Sequence, residues 1–133
     1  FKIFNFKKKN EDEKKVLKIL KKRDVQLICL AGFMKILSGN FVKKFDGKIV
    51  NIHPSLLPKY KGLNTHERVI LNKEKFSGCT VHVVNSKLDS GKIIMQKRLK
   101  ICKKDNPETL SKKVLKLEHL LYPKALKKLL FKT

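Results

Sequence analysis

Three polar side chains in the middle of the chain, Asn51, His53 and Asp89, bring together an amide, an imidazole and a carboxylate. These groups donate and accept hydrogen bonds and move protons. Asn51 interrupts the otherwise buried-looking run Lys48 to Ile52, and His53 follows two residues later. Successive strand residues point to opposite faces, so these two side chains share one side of a strand end. A buried amide is costly unless it is paired, which leaves two readings open. Asn51 and His53 serve a binding or catalytic site, or Asn51 ties down the loop from Pro54 to Pro58 while His53 caps a backbone carbonyl. Asp89, in Leu88-Asp89-Ser90-Gly91, equally suits an Asx turn before a strand. Thr80 and His82 share one face of a neighbouring strand. His66 falls in the first turn of a short helix, and His119 stands beside Glu118 on a late one. No H-E-x-x-H spacing exists and Cys29, Cys79 and Cys102 are far apart, so no metal centre is expected.

The elements that must position these residues follow from hydrophobic periodicity. Lys2 to Phe6 alternates like a short strand. Val16, Leu17 and Leu20 have helical spacing within Glu11 to Lys22, whose acids come first and lysines later, as the helix dipole favours. Gln26 to Ala31 is a continuous apolar run, typical of a parallel strand buried on both faces. Ser38 caps a helix reaching about Phe45, and Gly47 breaks it before the strand Lys48 to Ile52. His53 to Thr65, with two prolines and a glycine, reads as a functional loop at a strand's C-terminal end. A short helix from His66 to Asn72 precedes strands at Cys79 to Val84 and Ile93 to Leu99. Asp105 and Glu108 suggest a capping box with Pro107 in the first turn of the last helix. Leu110, Val114, Leu117 and Leu121 form its stripe, and Pro123 is expected to kink or end it. The alternation of strands and helices predicts one α/β domain, residues 1 to 133, with a mostly parallel sheet and flanking helices.

The chain has 133 residues, 33 of them Lys or Arg against 11 Asp or Glu, for a net charge of +22. With 41% hydrophobic residues it has enough apolar material for a core. No apolar run reaches the roughly 18 to 20 residues of a membrane span. The odd, dispersed cysteines suit a reducing cytoplasm. Residues 46 to 96, which hold the unusual polar groups, are the least basic third. The lysine pairs fall on polar helix faces without an RNA-binding glycine-aromatic signature, finger spacing or arginine cluster. They read as a solvated surface rather than a specific nucleic-acid face. Their field would nevertheless draw in small polyanions such as phosphates.

Several linked segments carry a resemblance. Leu30-Ala31-Gly32-Phe33-Met34-Lys35-Ile36-Leu37-Ser38 is followed by Asn51-Ile52-His53-Pro54-Ser55-Leu56-Leu57-Pro58-Lys59-Tyr60-Lys61-Gly62-Leu63. Thr65-His66-Glu67-Arg68, Gly78-Cys79-Thr80-Val81-His82, Leu88-Asp89-Ser90-Gly91-Lys92-Ile93-Ile94 and Glu118-His119-Leu120-Leu121-Tyr122-Pro123 continue it. From about residue 24 onward the chain resembles the phosphoribosylglycinamide formyltransferase family, with a Rossmann-like fold.

The resemblance implies transfer of a formyl group from 10-formyltetrahydrofolate to the amino group of glycinamide ribonucleotide, in purine biosynthesis, without metal. Asn51, His53 and Asp89 match the family's active-site residues. The Asn51 amide and protonated His53 would bond the developing oxyanion. Asp89 would steady the imidazolium and hold a water that relays the proton. Met34, Lys35 and Leu37, with Leu88 and Asp89, match the folate pocket. Glu118 matches a residue on the ribose hydroxyls, and Thr80 and His82 a supporting layer. Asn64 stands where many members have a histidine.

The family's glycine- and serine-rich phosphate loop, and about two βα units, have no counterpart in the first residues. The chain is therefore expected to be the C-terminal two-thirds of a formyltransferase catalytic domain, with a sheet edge left open. Poor stability alone, assembly with a partner or a second copy, and restored nucleotide binding on adding the upstream segment are the corresponding expectations. The alternatives are a formyltetrahydrofolate deformylase, whose loop departs from Pro54-Ser55-Leu56-Leu57-Pro58, and an inactive basic remnant that binds polyanions.

Overall fold

The structure, a computed structural model, describes residues 3–33 and 35–131. In chain order the elements are α1 (Lys9–Lys22), β1 (Leu27–Leu30), α2 (Gly39–Lys44), β2 (Lys48–His53), α3 (Thr65–Leu71), β3 (Phe76–Val83), β4 (Ile93–Lys100) and α4 (Pro107–Leu130). The strands form one sheet in the order β1-β2-β3-β4. The fold is Rossmann-like α/β with flanking helices. Its sheet is mixed: β1 and β2 run parallel, while β2–β3 and β3–β4 are antiparallel. The mostly parallel sheet expected from the alternation is corrected here. Residues 84–92 between β3 and β4 are too short for the crossover that a parallel neighbour needs, so the chain turns straight back.

Alternation along β2 builds two different faces. Val50 and Ile52 join Cys79 and Val81 of β3 beneath Val69, Leu110, Val114, Leu121 and Ala125, which brings α3 and α4 onto one face. Ile49 points the other way and packs with Phe41 and Phe45, backed by Val16, Leu17 and Leu20 of α1. Asn51 and His53 follow Ile49 on that second face, where β2 changes from apolar to polar at its C-terminal end. Their cross-strand partners are His82 and Thr80. The sequence periodicity thus explains how four polar residues come to share one patch.

Other boundaries differ from expectation for identifiable reasons. Residues 3–6 form no strand, and Ile3 is 82% exposed, since no strand among the described residues pairs with that segment; Lys2 lies outside the described residues. Strand β1 is only half-buried, not buried on both faces, because β2 is its one described neighbour. The α4 cap is Asn106 with Thr109, not Asp105 with Glu108. The Asn106 side chain accepts from the Thr109 N–H at 2.9 Å, and the Thr109 hydroxyl accepts from the Asn106 N–H at 2.9 Å. Asp105 instead accepts from the Cys102 N–H and pairs with Lys113. Pro123 neither ends nor divides α4. Leu121 and Ala125 on either side of it are fully packed, and that burial outweighs the single lost helical hydrogen bond.

Candidate functional site

At the C-terminal end of β2 the chain opens into a cleft of about 1150 Å³. It is formed by residues 30–33 and 35–37 at and beyond the end of β1, the end of β2 with the loop and first turn of α3, His82 of β3 with the 84–89 loop, and one face of α4. Asn51 is half-buried and lines the cleft. Among the described residues its side chain makes no hydrogen bond, so the loop-tying reading finds no support. The loop is held by others. The Thr80 hydroxyl donates to the Ser55 carbonyl at 2.7 Å and accepts from the Leu57 N–H at 3.1 Å, while Gln96 donates to the Leu57 carbonyl at 2.7 Å. Thr80 is fully buried under this loop and does not line the cleft.

His53 is 6% exposed. Its Nε2 lies 2.8 Å from the Tyr60 carbonyl. A carbonyl only accepts, so this nitrogen carries a hydrogen and donates, which is the capping role the residues alone allowed. Nδ1 stands 3.5 Å from Asp89 Oδ2, longer than a good N–H···O bond, and has no other partner among the described residues. Asp89 adopts a left-handed backbone, with φ of 47°. Its Oδ2 accepts from the Gly62 N–H at 2.9 Å, so the carboxylate ties together the two loops that flank the imidazole. Gly62 itself has φ of 83°, a conformation in which glycine is unstrained.

His82, 2% exposed, reaches the same carboxylate from β3, with Nε2 3.8 Å from Asp89 Oδ1. Its Nδ1 donates to the Val83 carbonyl at 3.2 Å, and its Nε2 is buried without a hydrogen-bond partner. Burial pushes the His82 imidazole below its ordinary range; the Val83 carbonyl and Asp89 act against that shift, and His53 adds to it. His66, also in the cleft, is lowered by burial first and by His53 second. Glu118 projects from α4 into the cleft, and burial holds its carboxyl above the usual range.

Lys35, Leu37 and Leu88 line the cleft alongside Ile36 and Val84. Met34 lies outside the described residues. Asn64 is the residue before α3, with φ of 55° and no capping bond from its side chain.

Sequence reasoning missed several contributors. Glu13 is one of the early acids of the first helix that suit the helix dipole, but it is also 4% exposed and accepts from the Ser38 N–H at 2.9 Å. Ser38 Oγ in turn accepts from the Phe41 N–H at 3.0 Å, so α1 anchors the segment that enters the cleft before α2. Tyr60 and Gly62 act through backbone groups, which no side-chain pattern reveals. His119, beside Glu118 on α4, is exposed and lines the rim of the cleft.

The anchor yields an expected result. Glu13→Ala leaves the Ser38 N–H without its acceptor and should cost about 1–3 kcal/mol. Denaturant unfolding measures the loss, and faster hydrogen exchange at the Ser38 amide locates it.

Among the described residues no group of three or more His, Cys, Asp or Glu side chains is placed to hold a metal ion. No described helix is long and apolar enough to cross a membrane.

Comparison with known proteins places this architecture. A family model described as formyl transferase matches residues 1–126. The trifunctional purine biosynthetic protein adenosine-3 of Gallus gallus is 49% identical over 118 residues, covering 89% of this chain and 12% of that protein. The phosphoribosylglycinamide formyltransferase of Haemophilus influenzae is 42% identical over 123 residues, covering 92% of this chain and 58% of that protein. The crystal structure of phosphoribosylglycinamide formyltransferase from Bacillus halodurans superposes with a TM-score of 0.87 at 40% identity, covering 93% of this chain and 64% of that one. The structure of the phosphoribosylglycinamide formyltransferase from Coxiella burnetii gives a TM-score of 0.82 at 48% identity, covering 88% and 55%. The chain thus spans a small part of the trifunctional relative and a little over half of the shorter one. A matched sequence and a shared backbone, over most of its length, establish that this chain belongs to the formyl transferase family.

Proposed function

We propose that the cleft transfers a formyl group from 10-formyltetrahydrofolate to the amine of glycinamide ribonucleotide, as part of a catalytic domain of which residues 1–133 are the C-terminal portion. The observation that carries this reading is the imidazole of His53, with one nitrogen committed to the Tyr60 carbonyl and the other left beside Asp89. The family membership and the relatives named for this reaction support it.

The amine nitrogen attacks the formyl carbon, forming a new C–N bond while the carbonyl oxygen gains negative charge. Asn51 N–H and the Nδ1–H that His53 carries when it is protonated beside Asp89 donate to that oxygen. The C–N bond to the folate then breaks, and the proton lost by the amine goes to the departing nitrogen. Asp89 Oδ1 accepts no hydrogen bond among the described residues, and His82 Nε2 beside it has no partner. A water bridging these two atoms would satisfy both and serve the proton relay.

The cleft exceeds the several hundred Å³ that suffice for one small ligand, as a site for two substrates requires. Ile36, Leu37, Val84 and Leu88 supply apolar walls suited to a flat pterin ring, with Lys35 at its edge and the neighbouring position Met34 assigned by resemblance. Glu118, across the cleft on α4, is assigned to ribose hydroxyls, which a carboxylate accepts from. The positive surface would speed the arrival of both anionic substrates, an effect that rising salt weakens.

Folate absorbance followed with and without glycinamide ribonucleotide tests the proposal. Turnover that requires the amine is expected. Equal loss of formyl groups to water with or without the amine would instead favour a deformylase.

A further inference from the structure

We propose that Tyr60 is a positioning residue, which sets the His53 ring through its backbone carbonyl while its own side chain is clamped by Glu74 and Asn72. The role rests on the transfer chemistry proposed above. Tyr60 belongs to two environments at once. Its carbonyl accepts from His53 Nε2 at 2.8 Å on the cleft side. Its ring packs against the core beneath α3 and α4, with the Arg68 guanidinium 5.5 Å from the ring centre. The hydroxyl donates to Glu74 Oε1 at 2.8 Å and accepts from Asn72 Nδ2 at 3.2 Å. Burial first, and the Glu74 carboxylate second, hold this phenol above its usual range, so it keeps the proton it donates.

The backbone at Tyr60 is left-handed, with φ of 56°. A residue with a Cβ pays about 1–2 kcal/mol for that conformation, so something must hold it there. The clamp from the α3 exit supplies the hold. Asn72 is the C-cap of α3, and the Glu74 N–H donates to the Val69 carbonyl, so both partners sit on a rigid corner. Lys59 adds a second link, its Nζ 3.7 Å from Glu74 Oε1. With Nε2 fixed, rotation of the ring is restricted and Nδ1 stays beside Asp89. Without the clamp, the carbonyl is free to turn away and the ring to follow.

Tyr60→Phe removes the two hydroxyl bonds and keeps the ring. In the intact polypeptide it is expected to lower kcat about tenfold, as small misplacements of catalytic groups do, with KM for the nucleotide within about twofold. The nitrogen resonance of His53 Nε2, read by NMR without substrates, should shift at the same time. Glu74→Ala, which leaves the tyrosine in place, should reproduce both changes, and Glu74→Gln, which keeps an acceptor oxygen, should largely restore them. In a His53→Ala background, Tyr60→Phe should cause no further loss. An unchanged His53 resonance in Tyr60→Phe and Glu74→Ala, or a loss that adds fully to that of His53→Ala, would overturn the role. If the unsubstituted protein transfers no formyl group, the proposed reaction fails, while the resonance comparison still decides whether Tyr60 positions the ring.

Discussion

His53→Ala is expected to reduce formyl transfer about 10²–10³-fold, and Asn51→Ala by a similar factor, the usual loss when one oxyanion donor is removed. The argument lies in what each side chain is free to do. Asn51 makes no hydrogen bond among the described residues, yet it lines the cleft, so its amide remains available as a donor. His53 has spent Nε2 on the Tyr60 carbonyl and, as the imidazolium, has Nδ1–H as its second donor. Both donors project from the same face of β2, two residues apart, so one oxygen atom at the strand end can meet both. Steady-state kinetics should show the loss in kcat, with KM for each substrate changed far less, because the interaction strengthens only as negative charge develops. A loss confined to KM would mean that these groups merely bind substrate. Because the donors act on the same oxygen, the double substitution should cost less than the product of the two single effects.

Gly91→Ala should be the most damaging conservative substitution near the site. A methyl group there would overlap the Val83 carbonyl oxygen, where the loop after β3 folds back across its own strand. The neighbouring ladder bond from the Val83 N–H to the Lys92 carbonyl, 2.8 Å, gives the backbone little room to retreat. Overpacking of this kind costs about 1–3 kcal/mol. The cost is not only to stability, since the displaced loop carries Asp89, whose carboxylate must reach both Gly62 and His53. Thermal unfolding should therefore show a lower midpoint, and the folded fraction should still transfer formyl groups more slowly than the unsubstituted protein. Unchanged unfolding and unchanged turnover would mean that the loop moves aside without strain.

Much of this arrangement is legible in the sequence because it follows from local geometry. The shared side of Asn51 and His53 is a consequence of strand alternation, and Ser38 as a cap follows from the helical spacing of Phe41, Val42 and Phe45. The approach of Asp89 to His53 is tertiary; only the family resemblance suggested it, since Leu88-Asp89-Ser90-Gly91 alone is also an ordinary turn. Contributions made by the backbone were not legible at all. The Tyr60 carbonyl and the Gly62 N–H depend on two left-handed residues, and a pattern of side chains says nothing about where such groups point. The buried contact of Glu13 was not legible, because an acid at the start of a helix suits the dipole whether or not it is buried, and only the position of Ser38 reveals the contact. Pro123 is the opposite case. The local rule expected a kink or an end at Pro123, and α4 does not end there, with Leu121 and Ala125 packed on either side of it. The sheet's mixed direction also exceeds local reading, because strand polarity is set by the path of the connections rather than by strand composition.

The most direct measurement follows the formyl carbon itself. The intact protein is incubated with glycinamide ribonucleotide and an isotope-labelled 10-formyltetrahydrofolate, and the products are weighed by mass spectrometry. The account predicts the labelled formyl group on the nucleotide amine, and a large reduction of that product with Asn51→Ala or His53→Ala. Label recovered only as formate, or labelled nucleotide formed equally well by the substituted proteins, would contradict it.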